Sequence, residues 1–190
     1  MKVIFLDHDG VICLSHNWGT RFKKQREHFT EENPRQGLGM NGPVHVRFDN
    51  FDKKAIKVLN QILEETGAEI VVSSDWKRWA SVEEMGEYYE SQGIIKKPIG
   101  FTDSVLNSNY EDFPWKLSLE LEQTRSLEIA EYLGKYTYIT HWVAIDDLDM
   151  SLRGEDSSAW GLSNFVLTPK SNEGIKQSGI KEKVIKFLNG

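Results

Sequence analysis

The chain has one cysteine, Cys13, among its 190 residues. That excludes an intrachain disulfide framework and any cysteine-rich zinc site. Long apolar runs are missing as well: nothing approaches the roughly 18 residues that a transmembrane helix needs. The N-terminal run Val3-Ile4-Phe5-Leu6 meets Asp7 too soon to be the apolar region of a signal peptide, so a cytoplasmic protein with no membrane partner is expected. Internal repeats and low-complexity segments do not occur. Histidine is scarce, and no pair among His16, His28 and His45 has helical metal-ligand spacing, which disfavours zinc.

An excess of basic residues is absent too. Lys and Arg number 23 against 29 Asp and Glu, a net charge of −6, which argues against indiscriminate nucleic-acid binding. The exception is residues 15–48. There six basic side chains (Arg21, Lys23, Lys24, Arg26, Arg35, Arg47) outnumber three acidic ones. Such a segment suits an anionic substrate, although a solvated face would carry the same charges. Content that is 39% hydrophobic and 27% charged excludes disorder as the main state. The length fits one domain over residues 1–190, with a small lid inserted at about 15–48.

Residues 2–6 read as a buried strand. Asp49 or Asn50 can cap a helix running to about Glu65, with Gly67 as its stop. Residues 69–73 form a second strand, and Ser81-Val82-Glu83-Glu84 is a capping box opening a helix that ends near Gly93. Residues 98–100 suit a short third strand. Thr124 or Ser126 can start a helix closed by Gly134. Residues 141–145 and 164–167 complete the strands, and Ile180, Val184, Ile185 and Leu188 mark a final helix. Short strands alternating with amphipathic helices predict an α/β fold of three layers, a mostly parallel sheet with helices on both faces.

In such sheets ligands sit at the carboxyl ends of the strands. Strand one ends at Asp7 and Asp9, strand two at Ser73 and Ser74, and strand four at Asp146 and Asp147. Carboxylates gathered this way need a cation, and an oxygen-only set suits Mg²⁺. A carboxylate can also act as a nucleophile towards phosphorus, and a second carboxyl can serve as acid and base.

The stretch Val3-Ile4-Phe5-Leu6-Asp7-His8-Asp9-Gly10-Val11-Ile12 resembles the first motif of the haloacid dehalogenase-like (HAD) superfamily. Val71-Val72-Ser73 resembles its second motif and Val143-Ala144-Ile145-Asp146-Asp147 its fourth. The finer pattern is similar to the HAD branch found with Swiss Army Knife RNA-repair proteins. It comprises Ser73-Ser74-Asp75-Trp76-Lys77, then Arg125, then Phe165-Val166-Leu167-Thr168 with Gly174-Ile175.

The resemblance implies a Rossmann-like HAD fold and a Mg²⁺-dependent phosphomonoester hydrolase working through an aspartyl-phosphate. Asp7 would be nucleophile and metal ligand. Asp9 would be acid/base, with its backbone carbonyl on the metal. Ser73 would bind the phosphoryl group, with Ser74 beside it, and Asp146 and Asp147 would complete the metal site. The third motif, usually Lys, would fall to Arg125, expected at a helix start, with Lys116 as the alternative. The substrate would be a phosphorylated small molecule or nucleic-acid end. Rival readings are a metabolite or protein phosphatase with the same core, and a HAD-like binding module. His8 is expected to point off the site, and Trp76, Trp79, Trp115, Trp142 and Trp160 are expected in core or lid packing, whereas Trp18, beside the basic run Arg21 to Arg26, could pack in the lid or stack on a base.

Overall fold

A computed structural model describes residues 1–35, 42–105, 119–151 and 161–190. Five parallel strands, β1 (Lys2–Leu6), β2 (Glu69–Val72), β3 (Gly100–Phe101), β4 (His141–Asp146) and β5 (Phe165–Leu167), stand in the order β3-β2-β1-β4-β5. The predicted α/β sheet is therefore present. No described helix is long and apolar enough to cross a membrane.

The chain leaves β1 towards β2 and β3, then returns to the other side for β4 and β5. The order reverses between β1 and β4, so their carboxyl ends flank the crevice where open α/β sheets bind ligands. Alternation along β1 feeds two cores. Ile4 and Leu6 pack beneath α3 (Lys53–Thr66), α4 (Val82–Gln92) and α6 (Ile180–Asn189). Val3 and Phe5 face α5 (Leu121–Lys135) through Ile129 and Tyr132.

Helix starts explain two departures from expectation. α3 is capped by Asp52, whose carboxylate accepts the Ala55 N–H at 2.8 Å, and not by Asp49 or Asn50. Asp49 is occupied elsewhere: it is buried, accepts the Arg21 backbone N–H at 2.8 Å and pairs with the Arg21 guanidinium at 3.6 Å. α5 begins at Leu121, ahead of Thr124 and Ser126, because Glu120 and Gln123 form a reciprocal capping box. Gly134 lies inside that helix rather than closing it. α4 starts at the predicted Ser81–Glu84 box and stops at Gly93, where φ is 88°.

The segment expected as a lid carries helices α1 (Thr20–His28) and α2 (Val44–Arg47). No residue of α1 is buried. The segment is tied to α4 by a two-pronged Arg47–Glu84 pair at 2.8 and 2.7 Å.

Candidate active site

β1 delivers Asp7 to the sheet edge, and the chain then folds into a tight turn. The His8 carbonyl accepts N–H groups from Val11, Ile12 and Cys13 at 3.2, 3.0 and 2.8 Å. Gly10 permits this turn for two reasons. Its φ is +69°, and a Cβ there would collide with the Asp147 carboxylate. The Thr168 hydroxyl, from the end of β5, donates to the Gly10 carbonyl at 3.2 Å and ties the turn to the far side of the crevice.

Asp7, Asp146 and Asp147 converge as the sequence suggested: each offers one oxygen within 4.8 Å of the others. Asp7 and Asp146 are 5% and 1% exposed. Burial raises the Asp7 pKa against the pull of Arg125 and Ser74. Burial and then repulsion from Asp7 hold Asp146 well above the carboxylate range. Burial, with Asp7 and Asp9 nearby, pushes Asp147 up to about 6. A cluster so reluctant to ionise is short of positive charge.

Arg125 supplies part of it. Its Nη1 lies 3.0 Å from Asp7 Oδ1 and 2.9 Å from Asp146 Oδ2, and Nη2 is 3.7 Å from Asp75. Burial disfavours its charge, but the three carboxylates outweigh that and raise its pKa above the ordinary arginine value. The expected position is corrected here. Arg125 is neither at a helix start nor exposed: it lies past the first turn of α5 and is 5% exposed. Because α5 starts earlier than local signals indicated, Arg125 lies beyond the first turn, where the helix macrodipole has little hold on a cation. Lys116, the alternative for the third motif, lies outside the described residues.

The two serines separate by role. Ser73 pairs with strand β1, its N–H donating to the Leu6 carbonyl at 3.0 Å, and its Oγ is buried without a hydrogen-bond partner among the described residues. A buried hydroxyl at this sheet edge with no partner among the described residues is a ready donor for a ligand oxygen. Ser74 caps the short 3-10 helix Asp75–Trp79, accepting the Trp76 N–H at 3.5 Å, and lowers the Asp7 pKa against the effect of burial.

Asp9 is partly exposed and its carboxylate turns towards another partner. Trp76 Nε1 donates to Asp9 Oδ2 at 2.9 Å. Burial raises the Asp9 pKa, Asp7 and Asp49 add to the rise, and Trp76 and Cys13 oppose it.

His8 points away from the site, as strand alternation predicted. It is fully buried with Nε2 2.6 Å from the Tyr89 hydroxyl, and burial, helped by Arg125, pushes its pKa down to about 3, so the ring is neutral. Asp149 accepts from the backbone and hydroxyl of Ser151 and is a loop residue.

Sequence reasoning missed two features. Trp76 was placed in packing, and it does pack, but its bond to Asp9 had no local signal beyond the rule that a buried indole N–H needs an acceptor. Lys77 pairs with Glu128 at 2.5 Å, both nearly buried, and also donates to Thr102 Oγ1 at 2.8 Å. Glu128 lies three residues after Arg125, so this pair anchors the face of α5 that presents the guanidinium.

Residues 3–179 match the HAD domain of Swiss Army Knife RNA repair proteins. The chain belongs to that HAD family. The parallel sheet flanked by helices is the Rossmann-like fold that this family implies, and membership of the family supports phosphatase-type chemistry. No curated protein and no solved structure matches the chain.

The donor set fits Mg²⁺. Three carboxylates from two adjacent strand ends lie within reach of one ion, all with pKa values raised by burial and by one another, and none is a soft ligand.

Proposed function

We propose that this HAD domain, a single unit with its lid at 15–48, hydrolyses phosphomonoesters with Mg²⁺ through an aspartyl-phosphate on Asp7. The observation that carries this reading is the convergence of Asp7, Asp146 and Asp147 around Arg125, with Asp9 two residues beyond Asp7. Asp7, Asp146 and Asp147, the last directly or through water, would hold Mg²⁺ together with the Asp9 backbone carbonyl. Bound there, the ion supplies positive charge against the phosphoryl oxygens and the carboxylate cluster.

Asp7 attacks phosphorus as the bond to the leaving oxygen breaks, and Asp9 delivers its proton to that oxygen. The raised Asp9 pKa favours the protonated form this step needs. Asp9, now a carboxylate, takes a proton from the water that attacks the phosphoryl group, so Asp7 and inorganic phosphate are released. Arg125 offsets charge between Asp7 and the phosphoryl group, and the Ser73 hydroxyl donates to a phosphoryl oxygen.

The preferred substrate is a nucleotide or polynucleotide end phosphate. The support is α1 and its approach. Trp18, 51% exposed, donates its indole N–H to the Cys13 carbonyl at 3.3 Å, which places it against the turn carrying Asp9. Phe22, four residues further along the chain and 52% exposed, has the Arg21 guanidinium 5.0 Å over its ring. Aromatic faces set among cations suit a base and its phosphate.

The test is a panel of 3′- and 5′-phosphorylated oligonucleotides, mononucleotides, sugar phosphates and an aryl phosphate, each with Mg²⁺ and with chelator. Mg²⁺-dependent release that is fastest from oligonucleotide or mononucleotide ends supports the reading. Fastest release from sugar phosphates makes the domain a metabolite phosphatase, and no turnover of any substrate makes it a binding module.

A further inference from the structure

Trp76 is held more tightly than core packing requires. Its indole is 6% exposed and stacks on Phe48 at 4.7 Å and 6°, and on Phe51 at 5.4 Å and 15°. The His8 ring meets it edge-on at 4.7 Å and 62°, and His8 is itself pinned by Tyr89. Phe48 follows α2, so the return of the lid segment into the core builds one wall of this stack. An indole fixed on three sides has one polar atom, and Nε1–H is aimed at Asp9 Oδ2 at 2.9 Å.

The choice of acceptor is what matters. A buried tryptophan kept only for packing needs any acceptor, and a backbone carbonyl would do. Here the acceptor is the carboxyl read above as acid and base. Rotation about the last bond of an aspartate is soft, so an unrestrained carboxyl has no fixed choice of oxygen. A donor on Oδ2 imposes one, because an oxygen accepting the indole proton is a poor seat for the carboxyl proton.

We propose that Trp76 is a positioning residue for the transfer reaction: its indole N–H holds Oδ2 of Asp9, so that Oδ1 is the oxygen that carries the proton to the leaving group and later takes one from water. This rests on the acid/base reading of Asp9 and deepens it. The proton balance is that given for Asp9; Trp76 keeps its own proton throughout.

The testing variant is Trp76→Phe, which keeps a ring between Phe48 and Phe51 and removes the N–H. It is compared on an alkyl phosphate, whose departing oxygen needs the proton, and on an aryl phosphate with an acidic phenol, which does not. Since a lost general acid typically costs 10² to 10⁴, a displaced one is expected to cost roughly 10- to 100-fold in kcat/KM on the alkyl ester. The aryl ester is expected to change less than about threefold. Asp9→Asn is expected to show the same selectivity more strongly, and adding Trp76→Phe to it to cost nothing further.

A spectrum independent of turnover accompanies this. In ¹⁵N-labelled protein, the indole resonance that Trp76→Phe removes is expected to move in Asp9→Asn and to stay in place in Asp149→Asn. Equal losses on both esters by Trp76→Phe, while Asp9→Asn remains selective, would overturn the role of Trp76 alone. Asp9→Asn without selectivity would overturn the acid reading and this proposal with it. If Trp76→Phe does not fold, a different tryptophan pattern is still read in the wild type against Asp9→Asn, and no indole resonance moving there refutes the bond.

Discussion

Replacing Arg125 with Met removes a charge from between two buried carboxylates while keeping most of the side chain's length. Nη1 lies 3.0 Å from Asp7 and 2.9 Å from Asp146, and all three side chains are at most 7% exposed. Breaking a buried pair by deleting one partner costs about 3–5 kcal/mol, because the remaining charges stay buried without compensation. For a chain of this size about 1 kcal/mol moves the melting temperature by about 2–4 °C, so Arg125→Met should lower it by on the order of 10 °C. Thermal unfolding followed by circular dichroism at pH 7.5 with chelator measures this without any ion at the site. Arg125→Lys should lose less, since the charge returns but the planar fork does not. Arg125→Met combined with Asp146→Asn should recover part of the loss, because one of the two stranded charges is then gone. A melting temperature for Arg125→Met within about 2 °C of the wild type would refute the buried clamp and return Arg125 to the surface role that an exposed helix start implies. Activity should fall heavily in Arg125→Met whatever its stability, since Asp7 and the phosphoryl group lose the charge between them.

Two further outcomes follow from the electrostatics. Asp147 has a folded pKa of about 6, above its unfolded value of 3.8, so its contribution to stability is complete below about pH 4 and is lost as pH rises through 6. With chelator present, Asp147→Asn should melt at about the same temperature as the wild type near pH 4 and higher above pH 6. Because the group is partly exposed, solvent screening reduces the gain to about 1 kcal/mol, or a few degrees; a difference that does not change between pH 5 and 8 would contradict it. If the lid binds the phosphate backbone, oligonucleotide turnover should fall steeply with salt and aryl phosphate turnover should not. Charge reversal at Lys23 and Lys24 should weaken only the oligonucleotide reaction, and parallel salt curves for both substrates would favour a small-molecule phosphatase.

The parts of the fold that were legible in the sequence are those written in local chemistry. Apolar runs stopped by Asp7, Ser73 and Asp146 located β1, β2 and β4 and put their polar ends on one edge. The Ser81–Glu84 box set the start of α4, because a cap is a local hydrogen-bond arrangement. The start of α5 was hidden because Glu120 is not a usual capping residue and Leu121, 50% exposed, does not mark the buried face. Asp49, Asn50 and Asp52 are locally equivalent caps, and what separates them is Arg21, 28 residues before Asp49, taking that carboxylate for the lid.

Within the site, the three clustered carboxylates were legible as strand ends, but their clamp was not. Arg125 meets Asp7 across 118 residues, and Trp76 meets Asp9 across 67. No periodicity encodes a pairing of that kind; only the family resemblance pointed at Arg125, and nothing pointed at the indole. That Ser74 caps the next helix while the Ser73 hydroxyl stays without a partner among the described residues depends on how the chain turns after β2, which two adjacent serines cannot reveal.

Trapping the covalent intermediate shows whether Asp7 is the nucleophile. Asp9→Asn protein, in which the second step lacks its base, is mixed with Mg²⁺ and an aryl phosphate carrying labelled phosphate, then quenched in acid. Alkali-labile label is expected on the peptide containing Asp7, and none when Asp7→Asn is introduced into the same protein. Release of the phenol with no label on the protein at any quench time, or label that persists in the Asp7→Asn variant, would contradict that role.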